Sequence, residues 1–480
     1  MRRSCLPALA FSLLISQFAF LQTSFAADAT KPAHVIPVSK TDGHAATAQV
    51  PVLVAPVAPA GSAYYEAKHG DSISLVAHHY ISQTAYLTSS ELAVAIRKAN
   101  NLPEASNGLK AGQQVLVPGI LPAPIVERAI PVAKDFEVRA IYLTGLMAGS
   151  DHGIRIIKRW REVGGNTVVF DIKDSDGTIN IPFENALAGT HNVTIRDLPK
   201  FVHFLHSQGM HAIAREAMFR DERLVKNHPE LAVKSRKTGQ PWRENGKLVW
   251  TDTSNPKVQD YDIALAKKAI EGGVDEVQFD YVRFPAEGDQ ADASFYFQTA
   301  HPDWHRSDVI THFLEKAYGE IHPTGVLLSL DVFGIMAWQR PVDLAHTGQD
   351  IVGMAKYCDV LSPMIYPSHF FGMDGIAHPG DAPEHFIGES MARFEKITQG
   401  SGVVIRPWLQ AFAWRTKTYS PQYIEVQVLT AKDKGGVGFL FWNANNNYEK
   451  PDAAMPEMRA AKGKYLRGDE MGTAVRASVQ

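Results

Sequence analysis

The stretch VDEVQFDYVRFP, residues 274–285, decides the fold prediction because it resembles a buried strand that ends in functional groups. Its valine and phenylalanine residues favour a strand. Asp280, Tyr281 and Arg283 follow at the point where such a strand would emerge. Barrel enzymes place their chemistry at the C-terminal ends of parallel strands. Asp280 is therefore either a functional carboxylate or one half of a structural ion pair with Arg283.

The same pattern recurs through the large C-terminal part of the chain, where an amphipathic helix, a glycine and an apolar strand follow one another. The predicted helices are residues 154–163, 198–208, 258–270 and 309–321, and the strands after them are NTVVFDIKD, MHAIAREAMF, VDEVQFDYVRFP and VLLSLDVFG. A glycine after a helix is a common left-handed stop, and a continuous apolar strand is typical of a parallel sheet.

Four further strand candidates complete the series: VRAIYLTG at its head, then YCDVLSPMIYP, VVIRPWLQAFAW and GGVGFLFWN. About eight strand units fit a closed (β/α)8 TIM-type barrel better than an open doubly wound sheet. No Gly-rich phosphate loop follows the first strand, which argues against a dinucleotide-binding fold. The fold class predicted for this part is α/β.

The C-terminal ends of these strands carry polar and aromatic side chains that would converge on one face. Strands two to five deliver mainly carboxylates, whereas strands six to eight deliver aromatic rings and amides. Carboxylates can perform acid/base or nucleophilic chemistry, and aromatic faces and amides can hold a sugar. The predicted substrate-binding residues are Asp171, Glu216, Tyr281, Arg283, Tyr366, His369, Trp408, Trp414, Trp442 and Asn443.

The large domain resembles a glycoside hydrolase family first catalogued as a domain of unknown function, similar in motif style to the α-amylase and α-galactosidase groups. The segments that carry the resemblance are VRAIYLTG, VVFDIKDSDG, DEVQFDYVRFP, SLDVFG, LSPMIYPSH and GFLFWN. The resemblance implies that Asp280, at the end of the fourth strand, is the nucleophile and that Asp331, on the fifth, is the acid/base. The amylase-type acid is a glutamate, so Asp331 departs from that pattern.

A retaining glycosidase needs two carboxyl groups about 5 to 5.5 Å apart, which adjacent strands could supply as Asp280 and Asp331. Arg283 is predicted to keep Asp280 ionised, and Phe333 either desolvates Asp331 or belongs to the core. Asp171 and Glu216 form a competing pair, for which holding substrate hydroxyls or pairing with Arg215 is the preferred interpretation.

A smaller segment, residues 64–118, precedes the barrel and contains HGDS, KANNL and KAGQQVLVP in a predicted strand-helix-helix-strand order. It resembles the LysM module, a binder of N-acetylglucosamine-containing glycans such as peptidoglycan or chitin. The resemblance implies a sugar groove formed by two loops. The residues that it assigns to glycan binding are Gly70, Asp71, Ser72, Ile73, Asn101 and Leu102.

The remaining boundaries follow from composition. Residues 1–26 have the form of a secretory signal peptide, residues 27–63 of a disordered Ala/Pro-rich tether, and residues 119–135 of a linker before a barrel domain at 136–455 and a C-terminal tail at 456–480. We therefore expect an exported protein, periplasmic or extracellular and wall-associated, without stable membrane insertion after signal cleavage. Cys358 would be the sole cysteine left after cleavage, so no intramolecular disulfide is expected.

The sequence thus predicts an exported carbohydrate-active enzyme, a retaining glycoside hydrolase acting on a cell-wall or extracellular polysaccharide. The formal net charge of -3 gives no case for nucleic acid. No cofactor and no metal site are predicted. A non-catalytic polysaccharide- or peptidoglycan-binding protein remains open, because Asp331 stands where a glutamate is expected. A barrel deacetylase would need metal ligands that the sequence does not visibly assemble.

Overall fold

The computed structural model describes residues 57–467. The predicted signal peptide, most of the predicted tether and the end of the predicted C-terminal tail lie outside the described residues. Across residues 57–467, no helix has the length and apolar character that crossing a bilayer requires. Cys358 is buried and unbridged.

The N-terminal part of the described chain has the predicted strand-helix-helix-strand order. Strands Ser62–Glu66 and Gln114–Pro118 pair antiparallel, and helices Ile73–Tyr80 and Ser89–Ala99 pack beside them. Each helix begins at a hydroxyl side chain that accepts a backbone N–H, which is the usual N-terminal cap. Apolar residues from both helices and the second strand form a small core of their own. Residues 119–135, predicted as a linker, form no helix or extended strand.

Eight parallel strands form a closed barrel, confirming the predicted fold class. They are β1 (Arg139–Leu143), β2 (Thr167–Lys173), β3 (His211–Ala217), β4 (Glu276–Asp280), β5 (Leu327–Phe333), β6 (Val360–Met364), β7 (Val404–Ile405 and Trp408–Gln410) and β8 (Phe439–Trp442). The strand β8 pairs with β1 and so closes the ring. The strand β7 is interrupted at Pro407, which has no N–H to contribute to a ladder.

A helix follows each strand and covers the outside of the barrel. These helices are α1 (Asp151–Val163), α2 (Leu198–Ser207), α3 (Pro256–Glu271), α4 (Arg306–Ile321), α5 (Pro341–Thr347), α6 (Pro383–Thr398), α7 (Pro421–Asp433) and α8 (Glu449–Ala460). The fifth is short and is followed by one further turn of helix, Ile351–Met354. Gly164 ends α1 with φ of 113°, a conformation that glycine adopts without strain.

Three boundaries differ from the sequence predictions. The helices α1 and α4 each begin three residues before the predicted start, because their first turns are polar and carry no apolar period. The predicted domain end at residue 455 falls inside α8. Beyond it, Met458 and Leu466 are buried in the barrel core, so the domain extends to at least Leu466.

The barrel interior is filled in layers. Near the N-terminal ends of the strands, Arg406 donates to both carboxylate oxygens of Glu276 at 2.9 Å, and His211 lies 3.2 Å from the same carboxylate. An apolar layer above it includes Val169, Ile213 and Leu440. The C-terminal ends of the strands then present the polar and aromatic groups of the candidate site.

Candidate active site

Arg215, at the end of β3, is the centre of a buried charge cluster that we call the Arg215 cluster. Its Nη1 donates to Asp171 on β2 at 2.5 Å, and its Nη2 donates to Asp280 on β4 at 2.5 Å. Its Nε lies 3.7 Å from a carboxylate oxygen of Asp331 on β5. Residue alternation along the strands points all four side chains into the barrel. The structure therefore gathers three of the four predicted carboxylates around one guanidinium.

Aromatic side chains enclose this cluster on the side of β1, β7 and β8. The Tyr142 hydroxyl donates to Asp171 at 2.5 Å, and its ring stacks on Trp442 with centroids 4.1 Å apart. The indole N–H of Trp408 donates to Asp331 at 2.7 Å. The Arg215 guanidinium lies 5.2 Å from the Trp442 ring centroid, within cation–π range. Trp442 and Trp408 thus lie beside the carboxylates, as predicted for a sugar site.

The electrostatics of the cluster separate its carboxylates. Burial, reinforced by the negative charge of Asp280, raises the pKa of Asp331 well above its usual value, although Arg215 and Trp408 oppose the shift. Burial also raises the pKa of Asp171 to about 7, against the opposing effect of Arg215. The raised pKa favours the protonated form of Asp331, while Asp280 accepts hydrogen bonds from Arg215 and from the Tyr281 amide. Asp280 and Asp331 lie at the ends of adjacent strands in different electrostatic surroundings.

Tyr281 follows Asp280 in a conformation that is rare for a large side chain. Its φ is 55°, in the left-handed region that costs a non-glycine residue energy. The conformation directs the Tyr281 amide to a carboxylate oxygen of Asp280 at 2.5 Å. The backbone at the end of β4 therefore fixes the orientation of the Asp280 carboxyl group.

Arg283 does not hold Asp280, contrary to the sequence prediction. Its guanidinium lies between aromatic rings, with its carbon 4.4 Å from the centroid of Phe333 and 4.8 Å from that of Trp250. Its Nη1 donates to the carbonyl of Phe284 at 3.0 Å. Phe333 accordingly packs on Arg283. The prediction failed because strand spacing places Arg215 from the neighbouring strand, rather than Arg283, beside Asp280.

Glu216 does not join the other predicted carboxylates, because it follows Arg215 directly and points to the opposite face of β3. There it lies fully buried, with a carboxylate oxygen 3.8 Å from Lys173 Nζ. Lys173 also contacts Asp262 of α3 and lies 3.5 Å from Asp221. We call this group of four the Lys173 cluster. It lies between the sheet and α3, so Glu216 is not placed to touch a substrate at the barrel mouth.

Tyr366, His369 and Trp414 form an aromatic group at the ends of β6 and β7. The His369 ring centroid lies 5.4 Å from that of Tyr366 and 5.0 Å from that of Trp414. Burial, assisted by Arg415, lowers the pKa of His369 to about 4, which leaves the ring neutral. Trp414 is 37% exposed, and a cleft of about 320 Å³ lined by Phe371 and Arg415 lies beside it. An exposed indole next to a cleft is suited to stacking on a sugar ring.

Asn443 was predicted to bind substrate, but its side-chain amide forms hydrogen bonds with the backbone instead. Its Nδ2 donates to the carbonyls of Ala411 at 2.5 Å and of Asn447 at 2.9 Å. Its Oδ1 accepts the Asn445 amide at 2.8 Å. Asn443 therefore holds the loop after β8 and is not free to bind sugar hydroxyls.

The residues assigned to glycan binding in the N-terminal segment lie in neighbouring loops. Gly70 has φ of 90°, and the Asp71 carboxylate accepts the hydroxyl of Tyr65 at 2.6 Å. The backbone around Ser72 pairs with Gly108 in the second loop. The structure thus places the two loops side by side. Ile73 is fully buried in the core, whereas Asn101 and Leu102, which follow the second helix, remain partly or fully exposed.

Sequence reasoning missed Tyr142 and Trp250 and undervalued Arg215. Tyr142 lies on the same face of β1 as Ala140, two residues before it, and this period of two was the signal that could have placed its hydroxyl inside the barrel. Trp250 lies in the insertion between β3 and α3, where no strand register locates it. Residues 174–177 form a tight turn after β2, in which the Gly177 amide donates to the carbonyl of Asp174 at 2.9 Å. Within residues 57–467, no group of three or more His, Cys, Asp or Glu side chains is suited to a metal ion.

Comparisons with known proteins gave one family match and several similar solved structures. Residues 140–448 match a family described as "Putative glycosyl hydrolase domain". No curated protein matches the chain. A hypothetical protein from Ruminiclostridium thermocellum is 34% identical over 40% of this chain and 97% of that one, with a TM-score of 0.36. The spore cortex-lytic enzyme SleL of Bacillus megaterium is 13% identical over 82% of this chain and 85% of that one, with a TM-score of 0.40.

The glycoside hydrolase domain of PelA from Pseudomonas aeruginosa is 12% identical over 65% of this chain and 96% of that one, with a TM-score of 0.38. The family match is the finding that identifies the chain, since it spans more than half of the 480 residues and includes every strand end described above. The chain belongs to this glycosyl hydrolase family and has its catalytic domain in a closed (β/α)8 barrel.

Proposed function

We propose that the chain is an exported, retaining glycoside hydrolase of a cell-wall or extracellular polysaccharide, with Asp280 as nucleophile and Asp331 as general acid/base. One observation carries the proposal. Asp280 and Asp331 leave adjacent strands and contact the same guanidinium, and burial together with the charge of Asp280 raises the pKa of Asp331. A retaining mechanism needs one ionised and one protonated carboxyl group about 5 to 5.5 Å apart.

In the first step, an ionised Asp280 oxygen attacks the anomeric carbon while the Asp331 proton passes to the departing glycosidic oxygen. The products of this step are a glycosyl ester on Asp280, an ionised Asp331 and the released sugar alcohol. In the second step, Asp331 removes a proton from water, whose oxygen attacks the anomeric carbon. The ester bond to Asp280 breaks and both carboxyl groups return to their initial states.

The surrounding contacts are suited to this cycle. The Tyr281 amide, held by the left-handed backbone, and Arg215 Nη2 occupy one oxygen each of Asp280, which orients the carboxylate. When Asp280 becomes an ester, its negative charge is lost, and the pKa of Asp331 falls. Asp331 can then act as a base in the second step. Trp442 and the exposed Trp414 are the proposed stacking surfaces for sugar rings.

The N-terminal segment supports a polymeric substrate. Its strand-helix-helix-strand order and its HGDS, KANNL and KAGQQVLVP motifs resemble a LysM module, so we propose that it binds an N-acetylglucosamine-containing glycan. A binding module in the same chain raises the local concentration of substrate at the barrel, so weak affinity of the module is sufficient. The predicted signal peptide supports export to the periplasm or the cell exterior.

The test is release of reducing ends from isolated cell wall and from α- and β-linked polysaccharides, with product anomers followed by NMR. We expect the wild type to release ends with retained configuration, and Asp331→Asn to lose activity on polysaccharide while keeping part of it on an aryl glycoside, whose leaving group needs no proton. Asp176→Asn, in an exposed turn, is the matched control and should behave as wild type.

Three results would contradict parts of this proposal. Inverted products would exclude Asp280 as a covalent nucleophile. Full activity of Asp331→Asn on polysaccharide would exclude it as the acid. A wild type that binds these polymers but releases no ends from any of them would favour a non-catalytic binding protein.

A further inference from the structure

Arg283 is a buried cation that forms no ion pair within the described residues. It is 7% exposed, and among the described residues no carboxylate lies within ion-pair distance of its guanidinium. Its Nη1 donates a hydrogen bond to the neutral carbonyl of Phe284. Arg215, equally buried, instead contacts three carboxylates. Buried charges are normally paired, because desolvating an unpaired ion is costly.

A second cation, Arg220, lies near the first. Its Nη1 donates to the carbonyl of Ser175 at 2.6 Å, and it too has no carboxylate at ion-pair distance within residues 57–467. The guanidinium carbons of Arg220 and Arg283 lie 5.9 and 5.3 Å from the centroid of the Tyr281 ring. Burial lowers the pKa of Arg283 and the charge of Arg220 adds to this effect, while the more distant charges of Glu244 and Asp280 oppose it. Two neighbouring cations with no carboxylate at ion-pair distance within residues 57–467 favour the binding of an anion.

This region adjoins the reacting groups of the proposed site. Tyr281, which both cations approach, is the residue after Asp280. Trp250 lies 4.8 Å from the Arg283 guanidinium and has its ring centroid 6.2 Å from that of Tyr281. A sugar held against Asp280 would therefore have its neighbouring substituents close to two arginines and two aromatic rings.

We propose that Arg283 and Arg220 bind an anionic substituent of the substrate, so that the enzyme acts on an acidic polysaccharide; this inference rests on the proposed function of the same site. A guanidinium fork recognises carboxylate, sulfate and phosphate oxygens, in many cases through two parallel hydrogen bonds. The aromatic rings fix the guanidinium plane before the substrate arrives, which reduces the entropy lost on binding. A neutral substrate would leave the Arg283 charge buried and unpaired.

The experiment compares binding of matched acidic and neutral monosaccharides, which are not cleaved, to the full wild-type chain by titration NMR. The pairs are glucuronic acid with glucose, galacturonic acid with galactose, and glucose 6-phosphate with glucose. The variants are Arg283→Met and Arg220→Met, with Arg283→Lys to retain the charge. Arg159→Met, at an exposed arginine on α1, is the control.

We expect the wild type to bind at least one acidic sugar about tenfold more tightly than its neutral partner, the size of effect typical of a charge-assisted pair. The preference should vanish in Arg283→Met, weaken in Arg220→Met, survive in part in Arg283→Lys and remain unchanged in Arg159→Met. A preference for uronic acids alone identifies the substituent as a carboxylate, and a preference for the phosphate alone identifies it as a phosphate or sulfate.

Equal binding of acidic and neutral sugars, or a preference that persists in both methionine variants, overturns the inference. If Arg283→Met fails to fold, Arg220→Met and Arg283→Lys still decide the outcome. This result is independent of the hydrolase proposal, because binding of monosaccharides needs no turnover. If the protein prefers acidic sugars but releases no reducing ends, this inference holds and the proposed function is contradicted. If it hydrolyses a neutral polysaccharide and shows no preference for acidic sugars, the proposed function holds and this inference is contradicted.

Discussion

The Arg215 cluster and the Lys173 cluster have the same numbers of cationic and carboxyl groups but different surroundings. Each is a buried cation that contacts three carboxyl groups: Asp171, Asp280 and Asp331 in the first, and Glu216, Asp221 and Asp262 in the second. They use neighbouring residues of the same two strands, β2 and β3. One cluster lies inside the barrel, and the other lies between the sheet and α3.

The difference between them shows that charge content alone does not identify an active site. The Arg215 cluster is bordered by Trp442, by the strained Tyr281 and by the strand ends that open at the barrel mouth. The Lys173 cluster is closed by α3, and Lys173 is fully buried. Buried ion pairs of the second kind contribute to one arrangement of sheet and helix rather than to chemistry.

The sharpest test of this contrast is catalytic. Asp280→Asn should lower kcat by at least about 10³-fold, because an amide cannot form the covalent intermediate. Glu216→Gln should leave kcat within a factor of about three, because Glu216 lies on the other face of β3. Both rates are measured on the same polysaccharide. Comparable losses in the two variants would mean that the clusters do not divide between chemistry and structure.

The second expectation concerns stability. Lys173→Met should lower the free energy of unfolding by about 3–5 kcal/mol, because it leaves buried carboxylates without their cation. Lys226→Met, which removes an exposed lysine of a surface ion pair, should change it by less than about 1 kcal/mol. Urea unfolding at pH 7 measures both. A loss below that of the control would show that the Lys173 cluster does not stabilise the packing of α3 on the sheet.

The sequence was sufficient to predict that carboxylates at the strand ends converge on one face. It placed Asp280 and Asp331 at the ends of β4 and β5, and its helix-glycine-strand series predicted a closed barrel. It could not predict which arginine pairs with Asp280, since that depends on the register between β3 and β4, where Ala217 lies opposite Asp280. Register across strands is not encoded in the local pattern.

The position of Lys173 on β2 explains why the Lys173 cluster was not predicted. Simple alternation from Asp171 would point Lys173 into the barrel. A shift in the pairing of β2 with β3 lies between these two residues, with Asp171 opposite Arg215 and Lys173 opposite Glu216. Such a bulge redirects the side chains that follow it. Lys173 therefore points outward to Glu216, and Asp171 is the residue of β2 that contacts Arg215.

The third prediction is a pH dependence of hydrolysis that arises from the Arg215 cluster and not from the Lys173 cluster. Asp331 must be protonated to act as the acid, and burial with the charge of Asp280 raises its pKa. Hydrolysis should therefore fall as pH rises through this raised pKa, by about tenfold per pH unit once most of the acid is ionised. Glu216→Gln should keep this alkaline limb. The measurement is a pH profile of kcat for the wild type and for Glu216→Gln. Loss of the alkaline limb in Glu216→Gln would assign this limb to the Lys173 cluster.

The smallest expected effect is on the stability of Glu216→Gln at pH 5. Burial raises the pKa of Glu216 well above its usual value, with Lys173 opposing the shift, and this favours the protonated form of Glu216 in the folded protein. Replacing a protonated acid by an amide of the same shape should change the free energy of unfolding by less than about 1 kcal/mol at pH 5.

For a carboxyl group with a raised folded pKa, the stability is fully present below its unfolded pKa and is lost as pH rises through the folded pKa. The wild type should therefore lose stability above pH about 4.3, by up to about 1.4 kcal/mol per pH unit, and Glu216→Gln should lack this part of the loss. Urea unfolding from pH 5 to pH 8, with exposed Glu162→Gln as control, measures the difference. A variant that becomes less stable than the wild type as pH rises would show that Glu216 is ionised in the folded protein and that Lys173 compensates its charge.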